Sequence, residues 1–253
     1  HLMNRALENR TAIVTGAGQG MGRACALALA DLGARLVIND LDADKAENTA
    51  SDLCDRGDEA LAIQADVTDA ASIQALMAQT IERFGPIHIL INNAGIVYPT
   101  KVIDIEETEW DQVIDVNLKG TFLCSQAVLP SMQQANWGRI VNFSSTAGKN
   151  ISTVGGAHYT AAKAGVLGFT RHLAKEAASH NITVNAVCPG LIDTEMVRST
   201  IDENRTRAYV NSFPINRLGR PEEVADLVAF LCTDKAAYIT GASLDINGGD
   251  LMI

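Results

Sequence analysis

Ala12-Ile13-Val14-Thr15-Gly16-Ala17-Gly18-Gln19-Gly20-Met21-Gly22 carries an apolar, β-branched run straight into four glycines within seven positions. An Ala- and Leu-rich stretch of helical period follows and ends before Gly33. Strand, glycine turn and helix in this order let the backbone turn tightly, approach a pyrophosphate and aim helix N-terminal N–H groups at it. The spacing is Gly16-x-x-x-Gly20-x-Gly22, with Met21 where a strict G-x-G-x-x-G would place its third glycine. Taken alone, the cluster also fits a plain tight strand-to-helix turn, so its surroundings decide between the two.

Outward from this turn, short β-branched runs alternate with longer segments of helical period, the signature of βαβ units on a parallel sheet. Strands are predicted at Ala12–Thr15, Leu36–Asn39, Ala60–Gln64, Ile87–Ile91, Arg139–Phe143, Thr183–Val187 and Ser243–Ile246. Helices are predicted to begin near Gly20, Ala43, Ala70, Glu107, Ala157 and Pro221, several where Asp, Thr or Pro can open a first turn. The pattern implies one α/β domain over residues 4–253, a Rossmann-type, doubly wound, seven-stranded parallel sheet flanked by helices. Residues 1–3 read as a tag remnant with the native start, and are set aside. Residues 189–220 read as one irregular loop, much longer than the usual strand-to-helix connection of roughly 2 to 6 residues, and so as the substrate loop.

Twenty residues beyond Gly20, Asp40 ends the second predicted strand, where a carboxylate can accept both hydroxyls of an adenosine ribose. That selects NAD over NADP, because a 2′-phosphate about 4 Å from Asp40 is repelled by roughly 1 to 4 kcal/mol. The competing reading has Asp40 capping the following turn and Asp42 binding the ribose. Asp66 and Val67 close the third strand, Asp66 placed to hold an adenine amino group, and Asn93, Ala94 and Gly95 close the fourth. Carboxyl ends of parallel strands are where open α/β sheets bind ligands.

The 253 residues are 47% hydrophobic and 20% charged, enough chain to bury roughly three quarters of the unfolded surface. Twenty Lys and Arg against thirty Asp and Glu leave a net charge of −10, the wrong footprint for nucleic acid or an anionic membrane surface. No apolar run reaches the roughly 18 residues that a membrane span needs, so a cytoplasmic location is expected. Cys25, Cys54, Cys124, Cys188 and Cys232 are dispersed without a C-x-x-C pair, as reduced thiols are. His88, His158, His172 and His180 show no ligand spacing, and no metal is expected. His158, beside Tyr159 on a helix, is expected to point elsewhere and to serve packing or the surface.

Tyr159 and Lys163 stand four apart in a predicted helix and so share one face. An ammonium beside a phenol favours phenolate, drawing its pKa from near 10 towards working pH for proton exchange with an alcohol or carbonyl. Ser145, just past the fifth strand, offers a hydroxyl to the substrate oxygen.

With these residues in place the sequence resembles the short-chain dehydrogenase/reductase family over nearly its whole length. The resemblance rests on Thr15 to Gly22, Asn92 to Gly95, Asn117, Ser145, Tyr159 with Lys163, Pro189-Gly190 and the closing Asn247-Gly248-Gly249. It implies Tyr159 as general acid and base, Lys163 as the residue that tunes it and binds the nicotinamide ribose, Ser145 as the substrate-orienting group and Asn117 as holder of a relay water. It also implies nicotinamide contacts from Pro189, Gly190, Ile192 and Thr194, dinucleotide contacts from Gly16, Gln19, Gly20, Met21 and Gly22, and a homotetramer. The tyrosine-to-lysine spacing sets the chain apart from the family's enoyl reductases. The expected activity is NAD-dependent interconversion of a secondary alcohol and a ketone, or of a sugar hydroxyl and its keto or lactone form. The alternatives are an NADPH-dependent 3-oxoacyl-carrier-protein reductase and, in another class, a non-catalytic redox sensor. Two readings stand for Lys149, Arg198, Arg205 and Arg207: pairing with an anionic group on the substrate, or a mixed, solvated surface.

Overall fold

The computed structural model describes residues 5–253; the tag remnant assigned to residues 1–3 lies outside the described residues. Along the chain run β1 (Thr11–Thr15), α1 (Gly20–Asp31), β2 (Arg35–Asp40), α2 (Ala43–Asp55), β3 (Ala60–Gln64), α3 (Ala70–Phe84), β4 (Ile89–Asn92), α4 (Glu107–Ile114) and α5 (Gly120–Ala135). There follow β5 (Gly138–Phe143), α6 (Ala157–Ala177), β6 (Ile182–Pro189), α7 (Glu195–Thr200), α8 (Glu203–Val210), α9 (Pro221–Cys232) and β7 (Ser243–Ile246). All strands pair in parallel, in the order β3-β2-β1-β4-β5-β6-β7. The chain therefore winds outward in both directions from β1 and β4, and a crevice opens where their carboxyl ends diverge.

Two-residue alternation along the strands splits the core between the two faces of the sheet. Ala12, Val14, Leu36, Ile38, Ile89 and Ile91 pack with α1, α2 and α9, whereas Ile13, Val37, Leu90 and Ile140 pack with α3, α5 and α6. Both faces are covered, which is why the strands read as apolar runs. Side-chain caps start several helices: Asp42 accepts from the Asp44 and Lys45 amides, Asp69 from Ser72, Thr194 from Val197, and Asp202 from Arg205. Pro221 opens α9, where the Glu223 carboxylate accepts the Arg220 amide at 2.8 Å. Among the described residues, no helix is long and apolar enough to cross a membrane.

Two features depart from the sequence reading. The helix predicted from Glu107 continues through a five-residue π turn, Asp115–Lys119, into α5, which was not anticipated as an element of its own. The segment 189–220 is not one irregular loop, because α7 and α8 form within it. Both helices are short and contain no fully buried residue, only Val197, Tyr209 and Val210 packing partly buried against Leu191, Ile201 and Phe213, too few to present a hydrophobic period.

Candidate active site

The glycine turn sits at the crevice. Gly16 and Gly20 hold φ values of 60° and 55°, in the left-handed region that favours glycine. Gly22 is required by closeness: a Cβ there would stand 2.4 Å from the Gly16 carbonyl oxygen and 2.5 Å from Asn93 Nδ2. Asn93 is the tie between β1 and β4. Its Nδ2 donates to the Thr15 and Gly16 carbonyls at 3.0 Å each, while Thr15 Oγ1 accepts the Asn93 and Ala94 amides at 3.1 Å. Its side chain is thus spent on shaping the turn.

Beside this turn lies a cavity of about 330 Å³. Gly16, Gln19, Gly20, Met21, Asp40, Asp66, Val67, Asn93, Ala94, Gly95, Asn117, Tyr159, Lys163 and Thr194 all line it. A smaller cavity of about 70 Å³ shares Met21, Tyr159 and Thr194 with it and adds Ser145, Pro189, Gly190 and Ile192. Apart from Gly22, which packs beneath the turn, every residue that the sequence assigns to catalysis or to the dinucleotide lines one of these two spaces. Met196, within the segment read as the substrate loop, also lines them, as do Ser144, Val97 and Val154, which were missed, having no motif of their own.

Asp40 Oδ2 accepts the Gly18 amide at 2.9 Å and Oδ1 the Asp42 amide at 3.1 Å. Asp42 is occupied as the α2 cap, so of the two aspartates Asp40 is the one that lines the cleft. Lys45, absent from the sequence reading, donates to Gln19 Oε1 at 2.8 Å on the same rim. Asp66 Oδ1 accepts from the Thr68 amide at 2.8 Å and the Thr68 hydroxyl at 2.7 Å, which fixes its carboxylate at the end of the β3 connection.

At the other end of the cleft, Tyr159 and Lys163 rise from the first turns of α6. Lys163 Nζ donates to the Phe143 carbonyl at the end of β5 (2.9 Å) and lies 5.5 Å from the Tyr159 ring centroid. Burial pulls the Lys163 ammonium down to about 8. Burial also raises the Tyr159 phenol, partly offset by a hydrogen bond with Ser145, so burial outweighs the lowering expected from the adjacent lysine. At neutral pH the pair therefore holds a protonated phenol beside a charged ammonium. Ser145 Oγ also accepts the Ala147 amide at 3.1 Å, which pins the hydroxyl at the end of β5.

Asn117 lies in the π turn. Its Nδ2 donates to the Ile96 and Val113 carbonyls at 2.9 Å each, and its Oδ1 is buried without a partner. That oxygen faces Gly95, where a Cβ would stand 2.7 Å from it and 3.6 Å from Lys163 Nζ. An unpaired buried acceptor beside an ammonium at the cleft wall, with glycines whose added Cβ atoms would crowd the turn, is the cradle a dinucleotide requires. The residues present fit the group.

The cations considered as anion ligands are otherwise engaged. Lys149 binds the Ser243 carbonyl at 3.0 Å and Asp245 at 2.8 Å. Arg198 pairs with Asp193 at 2.8 Å, Arg207 with Glu203 at 3.3 Å, and Arg205 donates to Tyr209 Oη and the Thr153 carbonyl. None of the four lines either cavity; the exposed arginines fit the surface reading, whereas Lys149 is a mostly buried tie to β7.

Comparison with known proteins agrees with this arrangement. Residues 16–250 match a family model described as enoyl-(acyl carrier protein) reductase. A 3-oxoacyl-[acyl-carrier-protein] reductase from Synechocystis is 44% identical over 250 residues, covering 98% of this chain and 99% of that protein. The crystal structure of gox2181 superposes with a TM-score of 0.94 at 37% identity, covering 98% of each chain. That of a 3-oxoacyl-[acyl-carrier protein] reductase from Brucella melitensis does so with a TM-score of 0.93 at 36% identity, covering 99% of this chain and 94% of that one.

Proposed function

Because the chain belongs to the short-chain dehydrogenase/reductase family, and is thus an oxidoreductase of CH–OH and ketone groups, we propose that it reduces a 3-oxoacyl thioester to the secondary alcohol, and reverses that reaction, with NAD(H). The observation that carries the reading is the convergence of Asn117, Ser145, Tyr159 and Lys163 on one cleft. The named relatives favour the acyl substrate, and Asp40 at the rim favours NAD over NADP. A bound dinucleotide supplies or removes the hydride.

The remaining chemistry belongs to the chain. In reduction, Tyr159 Oη gives its proton to the carbonyl oxygen as the carbon gains hydride; in oxidation the phenolate takes the hydroxyl proton back. Lys163 stabilises that phenolate and holds the nicotinamide ribose, and its charge is present below about pH 8. Ser145 orients the substrate oxygen. Asn117 Oδ1 holds the water through which Lys163 exchanges protons with solvent. Gly16, Gln19, Gly20, Met21 and Gly22 form the pyrophosphate cradle. Asp66, Val67, Asn93, Ala94 and Gly95 flank the adenosine half, and Pro189, Gly190, Ile192 and Thr194 flank the nicotinamide.

A second reading, NAD-dependent oxidation of a polyol or sugar hydroxyl, is favoured by Asp40, since NAD serves catabolic oxidation. Assembly as a homotetramer belongs to the same proposal, and sedimentation as a monomer at micromolar concentration would argue against it. The function is tested by following nicotinamide absorbance with NADH and NADPH against short 3-oxoacyl thioesters, and with NAD and NADP against polyols and hydroxy acids. Turnover of the thioester with NADH is expected, and Tyr159→Phe should lower it by roughly 10²- to 10⁴-fold while NADH still binds. Turnover of polyols alone selects the second reading. NADH binding without turnover of any substrate would point to a redox sensor.

A further inference from the structure

Helix α6, which carries Tyr159 and Lys163, starts without a side-chain cap, because its N-cap residue is Gly156. The first amides of a helix have no partner inside it, so something else must take them. A Cβ on Gly156 would stand 2.5 Å from the Thr100 carbonyl oxygen and 2.8 Å from His158 Cε1. The imidazole of His158 occupies the place where a capping side chain would sit.

His158 is completely buried, one residue before Tyr159. Its Nδ1 accepts the Tyr159 backbone N–H at 2.9 Å, and its Nε2 lies 2.8 Å from Glu109 Oε1 on α4. A carboxylate can only accept, so the proton sits on Nε2 and leaves the Nδ1 lone pair for the Tyr159 amide; the two contacts demand the same tautomer. Hydrogen bonds from Thr100 and His158 hold the Glu109 carboxyl below its usual range. Gly156 N donates to the Tyr98 carbonyl at 2.7 Å, and a Cβ on Gly155 would meet Tyr159 Cδ1 at 2.9 Å and Val97 Cγ2 at 2.8 Å. The start of α6 is thereby joined to both α4 and the segment after β4.

We propose that His158 is a positioning residue for Tyr159: a cap supplied from within the first turn, locked by Glu109, that fixes the height and burial of the tyrosine in the cleft. The inference rests on the reading of Tyr159 as the proton donor and acceptor. Without the cap the first turn of α6 is free to fray, and the phenol gains solvent. A displacement of about 1 Å at a reacting group is enough to cost up to about 100-fold in rate.

The test is a phenolate absorbance titration, with Tyr159 isolated by subtracting the Tyr159→Phe spectrum, applied to His158→Gln, His158→Asn and Glu109→Ala. Glutamine reaches Glu109 but puts no acceptor beside the Tyr159 amide, so its titration should move down towards that of an ordinary tyrosine. Asparagine places Oδ1 where Nδ1 was and should restore most of the wild-type titration. With a short 3-oxoacyl thioester and NADH, the glutamine variant should lose roughly tenfold in kcat with KM nearly unchanged. Glu109→Ala, a change on a partly exposed helix face that tests the lock should the histidine variants fail to fold, should move the titration in the same direction. An unmoved Tyr159 titration in the glutamine or Glu109 variant, or identical behaviour of the asparagine and glutamine variants, would overturn the proposal. The titration needs no substrate, so the predicted shifts in a protein without turnover would refute the oxidoreductase reading and leave the cap standing.

Discussion

The Gly18 amide donates to Asp40 Oδ2 at 2.9 Å, so the turn after β1 and the carboxylate ending β2 form one continuous rim of the cleft. The rim also carries Lys45, held on Gln19 at 2.8 Å. Removing the Asp40 charge while keeping an oxygen for Gly18 should therefore change cofactor choice and keep the tie to the glycine turn, at the loss of the acceptor for the exposed Asp42 amide. Asp40→Asn is expected to raise the NADP-to-NAD ratio of kcat/KM by roughly 10- to 100-fold, the equivalent of removing a repulsion of about 1 to 3 kcal/mol. Kinetics with both cofactors check this, and an unchanged ratio would remove Asp40 from the specificity argument.

Lys163 places a charge where burial disfavours it, with its value lowered from 10.5 to about 8. Between about pH 8 and 10.5 the unfolded chain holds a proton that the folded chain has released, so stability rises with pH across that window. Below about pH 8 the full cost of the buried charge is present, on the order of 3 kcal/mol at most. Lys163→Met should abolish turnover, and any stability advantage it has at pH 7 should shrink towards pH 10. Urea denaturation of both proteins across that range is the check.

His88 behaves in the opposite pH range. Burial, followed by Arg10 and Arg35, lowers it from 6.5 to about 4, and its Nδ1 accepts the Thr11 amide at 3.2 Å. The unfolded chain takes up this proton below about pH 6.5 and the folded chain only near pH 4, so stability should fall as the pH drops through that window and level off beneath it. His88→Asn keeps an acceptor for Thr11 and removes the titration. Its stability should depend less steeply on pH between 6.5 and 4 than that of the wild type, measured side by side.

A Cβ added at Gly95 would stand 2.7 Å from Asn117 Oδ1 and 3.6 Å from Lys163 Nζ. Because Asn117 Nδ2 already serves the Ile96 and Val113 carbonyls, Oδ1 cannot withdraw from a new methyl group without breaking them. Gly95→Ala is expected to cost about 1 to 3 kcal/mol of stability and roughly tenfold or more in kcat. Thermal melting and steady-state kinetics on the same preparation would show it, and an unaffected kcat would mean that Asn117 takes no part in turnover.

The sheet was legible because its central strands β1, β4, β5 and β6 are buried along their whole length and most of the covering helices show an apolar period. Val14, Ile38 and Ile91 announce strands whatever surrounds them. Local chemistry also marked helix starts: Asp69 and Pro221 cap or open a turn through groups within a few residues of themselves. The π turn that carries Asn117 had no such mark, and one of the two carbonyls that hold the Asn117 side chain, that of Ile96, comes from the segment after β4 rather than from the helix itself. Helices α7 and α8 escaped notice because their contacts come from elsewhere, as when Arg205 reaches the Thr153 carbonyl.

The sequence by itself determined the sheet, the glycine turn, and the spacing that puts Tyr159 and Lys163 on one face of a helix, because periodicity and turn chemistry act over a few residues. Only the tertiary structure decided how those groups are used. It tied Lys149 to Asp245, at a distance in the chain that no local pattern spans, and so withdrew that cation from the site. It set Lys163 on the Phe143 carbonyl, gave the Tyr159 phenol surroundings whose desolvation raises rather than lowers it, and brought Glu109 against His158 at the start of α6. Burial and long-range pairing set the energies of charges and the partners of polar groups, and both exist only once the chain has closed on itself.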